Sequence, residues 1–181
     1  AAQNPNVSYR YSFDSTNFSS IPGSPIAYWA SDKVIDNFVS HPSVSDFANC
    51  RVGLFTCNND RFLRLWHEPK IDSIGFSCAT ETVAALSNRK WFPYNKGGNY
   101  RKWYGNQDYV VNFESGGREI QVYRRERGQS RSLPGREDYF REGITWSFVS
   151  SSRFGVRYTP SGFIFDVGGS SLFPKPDRLF Y

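Results

Sequence analysis

A chain of 181 residues with a net charge of +5, 18% aromatic side chains and no methionine is long enough for one domain with a real core and too short for two large ones. No apolar run approaches the roughly 18 residues that a membrane-spanning helix needs. The cysteines Cys50, Cys57 and Cys78 make an odd set without CxxC spacing, so neither a disulfide framework nor a zinc site is indicated, and reduced thiols in a cytoplasmic protein are the expectation.

Residues 1–27 are rich in Asn, Ser and Pro and read as a lead-in arm or linker ahead of one compact domain over 28–181. The opening Ala1-Ala2-Gln3 reads as neither a signal nor a transit peptide, and the expectation is a part excised from a longer protein. Ser31 is a good N-cap and Asp32 suits the positive end of a helix carrying Val34, Ile35 and Phe38 on one face. That helix should stop near His41-Pro42. Arg51–Phe55 reads as a short strand, Thr56–Asp60 as a polar turn and Phe62–Trp66 as a second, alternating strand. Thr80 caps a short helix to Leu86. Tyr109–Phe113 is a strand, and Gly117–Arg127 a short, very basic helix followed by an irregular stretch to Gly135. Ile144–Val149, Phe154–Tyr158 and Phe163–Val167 are strand-like runs separated by turn residues, which predicts a meander. The fold class is therefore α+β, a single compact domain with mainly antiparallel strands and a few short helices.

Charge is concentrated rather than spread. Between Arg89 and Arg136 eleven basic residues face four acidic ones, a local net charge of +7, as expected of a nucleic-acid footprint or, equally, of a solvated surface. Inside it, the Trp91–Gly105 stretch (WFPYNKGGNYRKWYG) sets Lys96, Arg101 and Lys102 among aromatic rings around a Gly97-Gly98 pair. Cations neutralise phosphates and rings stack on bases, while the glycines allow close backbone approach.

Other chemistries find less support. His41 and His67 have no partner at ligand spacing, so no metal is expected, and Cys57 has no histidine near it in sequence. Asp166-Val167-Gly168-Gly169-Ser170 lacks the GxGxxG and GKS/T signatures and reads as a β-turn. No catalytic centre is recognisable.

Three segments, in order, carry a family resemblance: Ile21–Trp29 with Gly53–Trp66, then Trp91–Gly105 with Tyr109–Asn112, then Gly143–Trp146 through Arg157-Tyr158 to Gly162–Asp166. They resemble the region downstream of the catalytic domain in adenine-specific N6 DNA methyltransferases of the BREX phage-defence type. They are more distantly similar to target-recognition domains of TaqI-like modification enzymes and of fused restriction-modification enzymes. The resemblance covers about residues 18–175. Within the first segment the family pattern runs Gly-x-x-Thr-Gly-x-Asn, and here Cys57 stands where glycine is common. Asn4-Pro5-Asn6-Val7 begins like the loop that holds a flipped adenine in such enzymes, but it lacks the second proline and the aromatic residue.

The resemblance implies a TaqI-type specificity domain that recognises double-stranded DNA sequence-specifically in a phage-defence or restriction-modification system. It would position the target adenine for methylation by a separate catalytic domain of the same parent chain. S-adenosylmethionine is implied for that parent, with no cofactor in this part. Lys96, Arg101 and Lys102 would hold phosphates with the backbone at Gly97 and Gly98, helped by Asn58 and Arg61. Asn59, Arg124, Arg125, Arg127, Gln129 and Arg131 are the candidate base readers, because Arg and Asn/Gln read guanine and adenine bidentately, each pair worth about 1–3 kcal/mol. Besides duplex DNA, the resemblance implies other defence-complex subunits and DNA-mimicking phage proteins as partners. Two rival readings stand beside this one: a general nucleic-acid module that stacks bases on exposed rings, and a protein-docking module of a defence complex.

Overall fold

The computed structural model describes residues 15–130, 132–149 and 153–175; Arg131 and residues 1–14 of the expected arm, Asn4–Val7 among them, lie outside these. The chain divides into two compact units, Ala1–Phe47 and Ala48–Tyr181. The first holds a 3-10 turn at Ser15–Ser20, helix α1 at Asp32–Ser40 and a single turn, α2, at Val44–Phe47. Helix α1 starts after Ser31 and ends as His41 becomes extended, as proline at the next position requires. Ser31 makes no side-chain capping bond, leaving Asp32 as the favourable group at the helix start. Helix α2 was not expected, yet its signal is local: the Ser43 N–H donates to Asp46 Oδ2 at 2.8 Å, the reach-back half of a capping box.

The second unit runs β1 (Ala48–Arg51), α3 (Asn59–Phe62), β2 (Leu63–Leu65), α4 (Glu81–Leu86), β3 (Trp91–Asn95), β4 (Tyr109–Asn112), α5 (Glu114–Glu126), β5 (Gly143–Trp146), β6 (Val156–Thr159), β7 (Ile164–Phe165) and β8 (Ser171–Pro174). One sheet has the order β1-β8-β5-β6, all antiparallel; the other is β2-β4-β3-β7, in which β3 and β7 are parallel. The α+β class with mainly antiparallel strands holds. Among the described residues no helix is long and apolar enough to cross a membrane.

The predicted meander is corrected. Strands β5 and β6 do pair as a hairpin, with Ile144 opposite Tyr158, but β7 leaves for the other sheet and places Ile164 beside Tyr94. Strand β8 then returns to lie between β1 and β5. The reason is burial. Ile164 and Phe165 are both buried, and an apolar pair with no polar face belongs beside an interior strand. The strand expected at Arg51–Phe55 is displaced too: β1 ends at Arg51, and Leu54 makes only an isolated parallel bridge to Asp166.

Strand β3 is, with β4, an interior strand of its sheet, and all of Phe92–Asn95 is buried. Its proline is tolerated for a geometric reason. The Phe113 N–H donates to Lys90 O and Trp91 bridges Ile74, so Pro93 falls between that bridge and the point where β7 pairing begins at Tyr94. A missing N–H costs the ladder nothing there. Phe92 and Phe113 meet edge-to-face with Phe140, and Phe113 meets Tyr139, which meets Phe165. This chain of rings is the centre of the core. Helix α5 opens with Ser115, Gly116 and Gly117 all at positive φ, so the right-handed helix starts only at Arg118. Two glycines suit that left-handed turn.

Candidate nucleic-acid interface

The Trp91–Gly105 stretch divides at Asn95. Before it lies the buried β3; after it a loop leaves the sheet and carries the exposed residues. Lys96 is half-buried, with Nζ 4.7 Å from the centroid of the Tyr109 ring. Gly97 sits at φ +79 and a Cβ there would lie 2.3 Å from Gly168 O, whereas Gly98, at φ +130, has no such close neighbour. Arg101 and Lys102 are exposed, and Lys102 Nζ stands 4.6 Å from the Trp103 ring centroid. Trp103 is 67% exposed yet held firmly. Its N–H donates to Val156 O at 2.9 Å and its carbonyl accepts from Tyr158 N at 2.9 Å, which ties the loop to the edge of β6. Trp103 pays for this with φ +74, a conformation that disfavours a side chain by about 1–2 kcal/mol. A large ring fixed in the open is what a stacking surface requires.

The loop from β5 to β6 completes this surface, and sequence reasoning missed it. The Ser147 hydroxyl donates to Gly98 O at 2.7 Å, the exposed Arg153 and Phe154 lie beside Tyr100, and Phe148 is exposed. The adjacent Arg153-Phe154 pair, a cation beside a ring, was the available signal.

The Gly-x-x-Thr-Gly-x-Asn pattern turns out to build a turn. A Cβ on Gly53 would fall 2.1 Å from Phe165 O, so only glycine fits. The Thr56 hydroxyl donates to Asn59 Oδ1 at 2.7 Å. Cys57, in the glycine place, adopts φ +62, the left-handed region that glycine takes without strain. Asn58 caps α3 by accepting from Arg61 N at 3.0 Å, and its Nδ2 donates to the Tyr123 hydroxyl at 2.8 Å. Arg61 pairs with Glu119 at 2.7 Å and holds that carboxyl below its usual range, chiefly by hydrogen bonding. The Arg61 and Arg127 guanidinium carbons lie 5.1 Å and 3.4 Å from the Tyr123 ring centroid. Asn58, Arg61, Tyr123 and Arg127 thus form one cluster.

The remaining candidates separate. Arg124 is 5% exposed and donates inward to Phe55 O and Ser130 O. Arg125 and Gln129 are exposed. Because the Lys96–Trp103 loop enters β4 at Tyr109 and α5 leaves it after Asn112, the loop and the Tyr123 cluster stand at opposite ends of that strand, roughly 10 Å of strand apart. The Lys96–Lys102 cations and the Arg61 and Arg127 cations are therefore separate groups.

Beneath the loop, Asp166 is buried. The Tyr94 hydroxyl lies 2.6 Å from Asp166 Oδ2 and 2.9 Å from Leu54 O. Leu54 O also accepts from Val167 N–H at 3.2 Å, so the phenolic proton of Tyr94 serves Asp166. Burial pushes the Asp166 pKa up, opposed by the hydrogen bonds from Tyr94 and Gly168 N–H and by Lys96. A carboxyl whose folded-state pKa is raised contributes stability below its ordinary value of 3.8 and loses it as pH rises through the folded value. Asp166→Asn should accordingly be as stable as the parent or more so at pH 7, with the gap closing toward pH 4, in denaturant titrations. A less stable variant at pH 7 would show instead that the ionised carboxylate is the stabilising form.

No protein-family model matches the chain. Over 176 residues, 96% of its length, it is 44% identical to the adenine-specific methyltransferase PglX of Lacticaseibacillus casei (strain Zhang). Over 158 residues, 87% of its length, it is 42% identical to the adenine-specific methyltransferase BrxX of Escherichia coli O9:H4 (strain HS). The chain spans 14% and 12% of these two relatives. It is homologous to one segment of each.

Proposed function

We propose that the chain is the DNA target-recognition domain of a BREX-type adenine-specific methyltransferase, holding duplex DNA beside a separate catalytic domain that uses S-adenosylmethionine. The observation that carries this reading is the loop with Arg101, Lys102 and the exposed, backbone-anchored Trp103, in a chain 44% identical to part of an adenine-specific methyltransferase. Lys96, Arg101 and Lys102 hold phosphates, with Gly98 giving the backbone close approach. Arg125, Arg127 and Gln129, exposed at the end of α5, supply base readers. Asn58, Asn59, Arg61 and Arg124 serve the architecture that positions them.

Replacing Arg101 and Lys102 together by Ala should weaken binding to every duplex and reduce the salt slope by about one unit per lost contact. An equal loss of affinity with an unchanged slope would contradict phosphate contact. The exposed rings of Trp103 and Tyr104 favour a second reading, a general single-strand module that binds by stacking; it predicts single-strand preference and little discrimination between sequences.

A further inference from the structure

Strand β6 is inverted relative to what its sequence pattern suggests. In Val156-Arg157-Tyr158-Thr159 the apolar residues should face the core, yet Arg157 and Thr159 are buried while Tyr158 is exposed. Arg157 is 1% exposed. Its Nε and Nη2 have no hydrogen-bond partner among the described residues, and no carboxylate there forms an ion pair with it. A buried guanidinium without a counter-charge is strongly unfavourable, so Nε and Nη2 call for an acceptor that the described residues do not supply.

Arg157 does not face a closed interior. With Tyr100, Ser147, Arg153, Phe154 and Gly155 it lines a narrow cleft holding about 20 Å³ of free space, room for roughly one oxygen atom. Among the described residues no acidic side chain lines it. The cleft walls are the two loops that form the candidate interface, pressed together at Gly155, where a Cβ would lie 2.8 Å from both Arg101 O and the Tyr100 ring. Of the exposed cations, Arg153 lines the cleft, and Arg101 approaches it through its backbone carbonyl at Gly155.

We propose that this cleft is an oxyanion site that takes one phosphate oxygen of the DNA backbone, with Arg157 as its buried donor and Arg153 at its rim. The inference rests on the DNA-binding reading and adds to it a fixed anchor. Exposed lysines hold phosphates loosely. A preorganised guanidinium at the bottom of a cleft fixes one phosphate, and so the register of the duplex against the base readers. The competing occupant is a buried water.

The test uses wild type, Arg157→Met and Arg157→Lys. Thermal unfolding is followed in inorganic phosphate and in chloride of equal ionic strength, and duplex binding across a salt series. Wild type should melt a few degrees higher in phosphate (~2–4 °C) through ligand linkage. Arg157→Met should melt no lower than wild type in chloride, show no phosphate shift, and bind duplex about tenfold more weakly with a salt slope smaller by about one unit. Arg157→Lys should keep part of the phosphate shift, and it decides the matter if the Met variant fails to fold. Phosphate shift and affinity both unchanged in Arg157→Met, or no shift in wild type, would overturn the site in favour of the water. A phosphate shift that depends on Arg157 in a chain that binds no DNA would instead overturn DNA as the source of the phosphate and, with it, the recognition reading.

Discussion

Phe92→Ala is expected to destabilise the chain by about 3–5 kcal/mol, the range for deleting a buried aromatic ring. Phe92 is 1% exposed and lies on an interior strand, edge-on to Phe113 and Phe140. Removing it opens a cavity where β3, β4 and the Phe140 turn meet, and these elements cannot collapse without breaking the β3–β4 register. Trp103→Ala, eleven residues further on, should do the opposite. Its stability should stay within about 1 kcal/mol of wild type, because the ring is exposed and its backbone bonds survive. Its DNA affinity should fall by about 1–3 kcal/mol, the worth of one stacked base. Denaturant titration and duplex binding on both variants separate the two effects. A large stability loss in Trp103→Ala would mean that the exposed ring props up the loop instead of presenting a surface.

Arg124→Ala should cost on the order of 3 kcal/mol, while its neighbour Arg125→Ala should stay within about 0.5 kcal/mol. The guanidinium of Arg124 joins α5 to the Phe55 carbonyl and to Ser130 O. Losing it leaves two carbonyls short of donors and detaches the end of the helix. Arg125 points outward, so its loss should appear in DNA binding and not in stability. Thermal melts decide, and equal stabilities for the two variants would show that the Arg124 bonds are not maintained in solution.

The residues that were legible in the sequence are those with local signals. Thr80 caps α4 with a 3.2 Å bond from Val83 N, and Asp32, His41 and Pro42 bound α1, because each signal lies within a turn of its effect. Trp91–Asn95 was illegible as an interior strand. Its aromatic and basic neighbours suggest a surface, and its burial is decided by β4 and β7, which follow it in sequence. Asn58 read as a polar turn residue for the same reason, since its partner Tyr123 lies 65 positions away. The Gly-x-x-Thr-Gly-x-Asn spacing was visible; that its Gly53 exists to admit Phe165 was not. Arg157 stood in an ordinary alternating run, and the inversion that buries it follows from β8 and β5 fixing the faces of their sheet. Short-range chemistry could be read, whereas which face of a strand turns inward required the register.

The central claim is that this chain binds duplex DNA through the Arg101–Trp103 loop and its neighbours. Its most direct test is titration of the chain with labelled duplex and single-stranded DNA at several salt concentrations. The account predicts duplex-preferring binding whose affinity falls steeply with salt, by several units of log–log slope. Preference for single strands, or no binding at low salt, would contradict it.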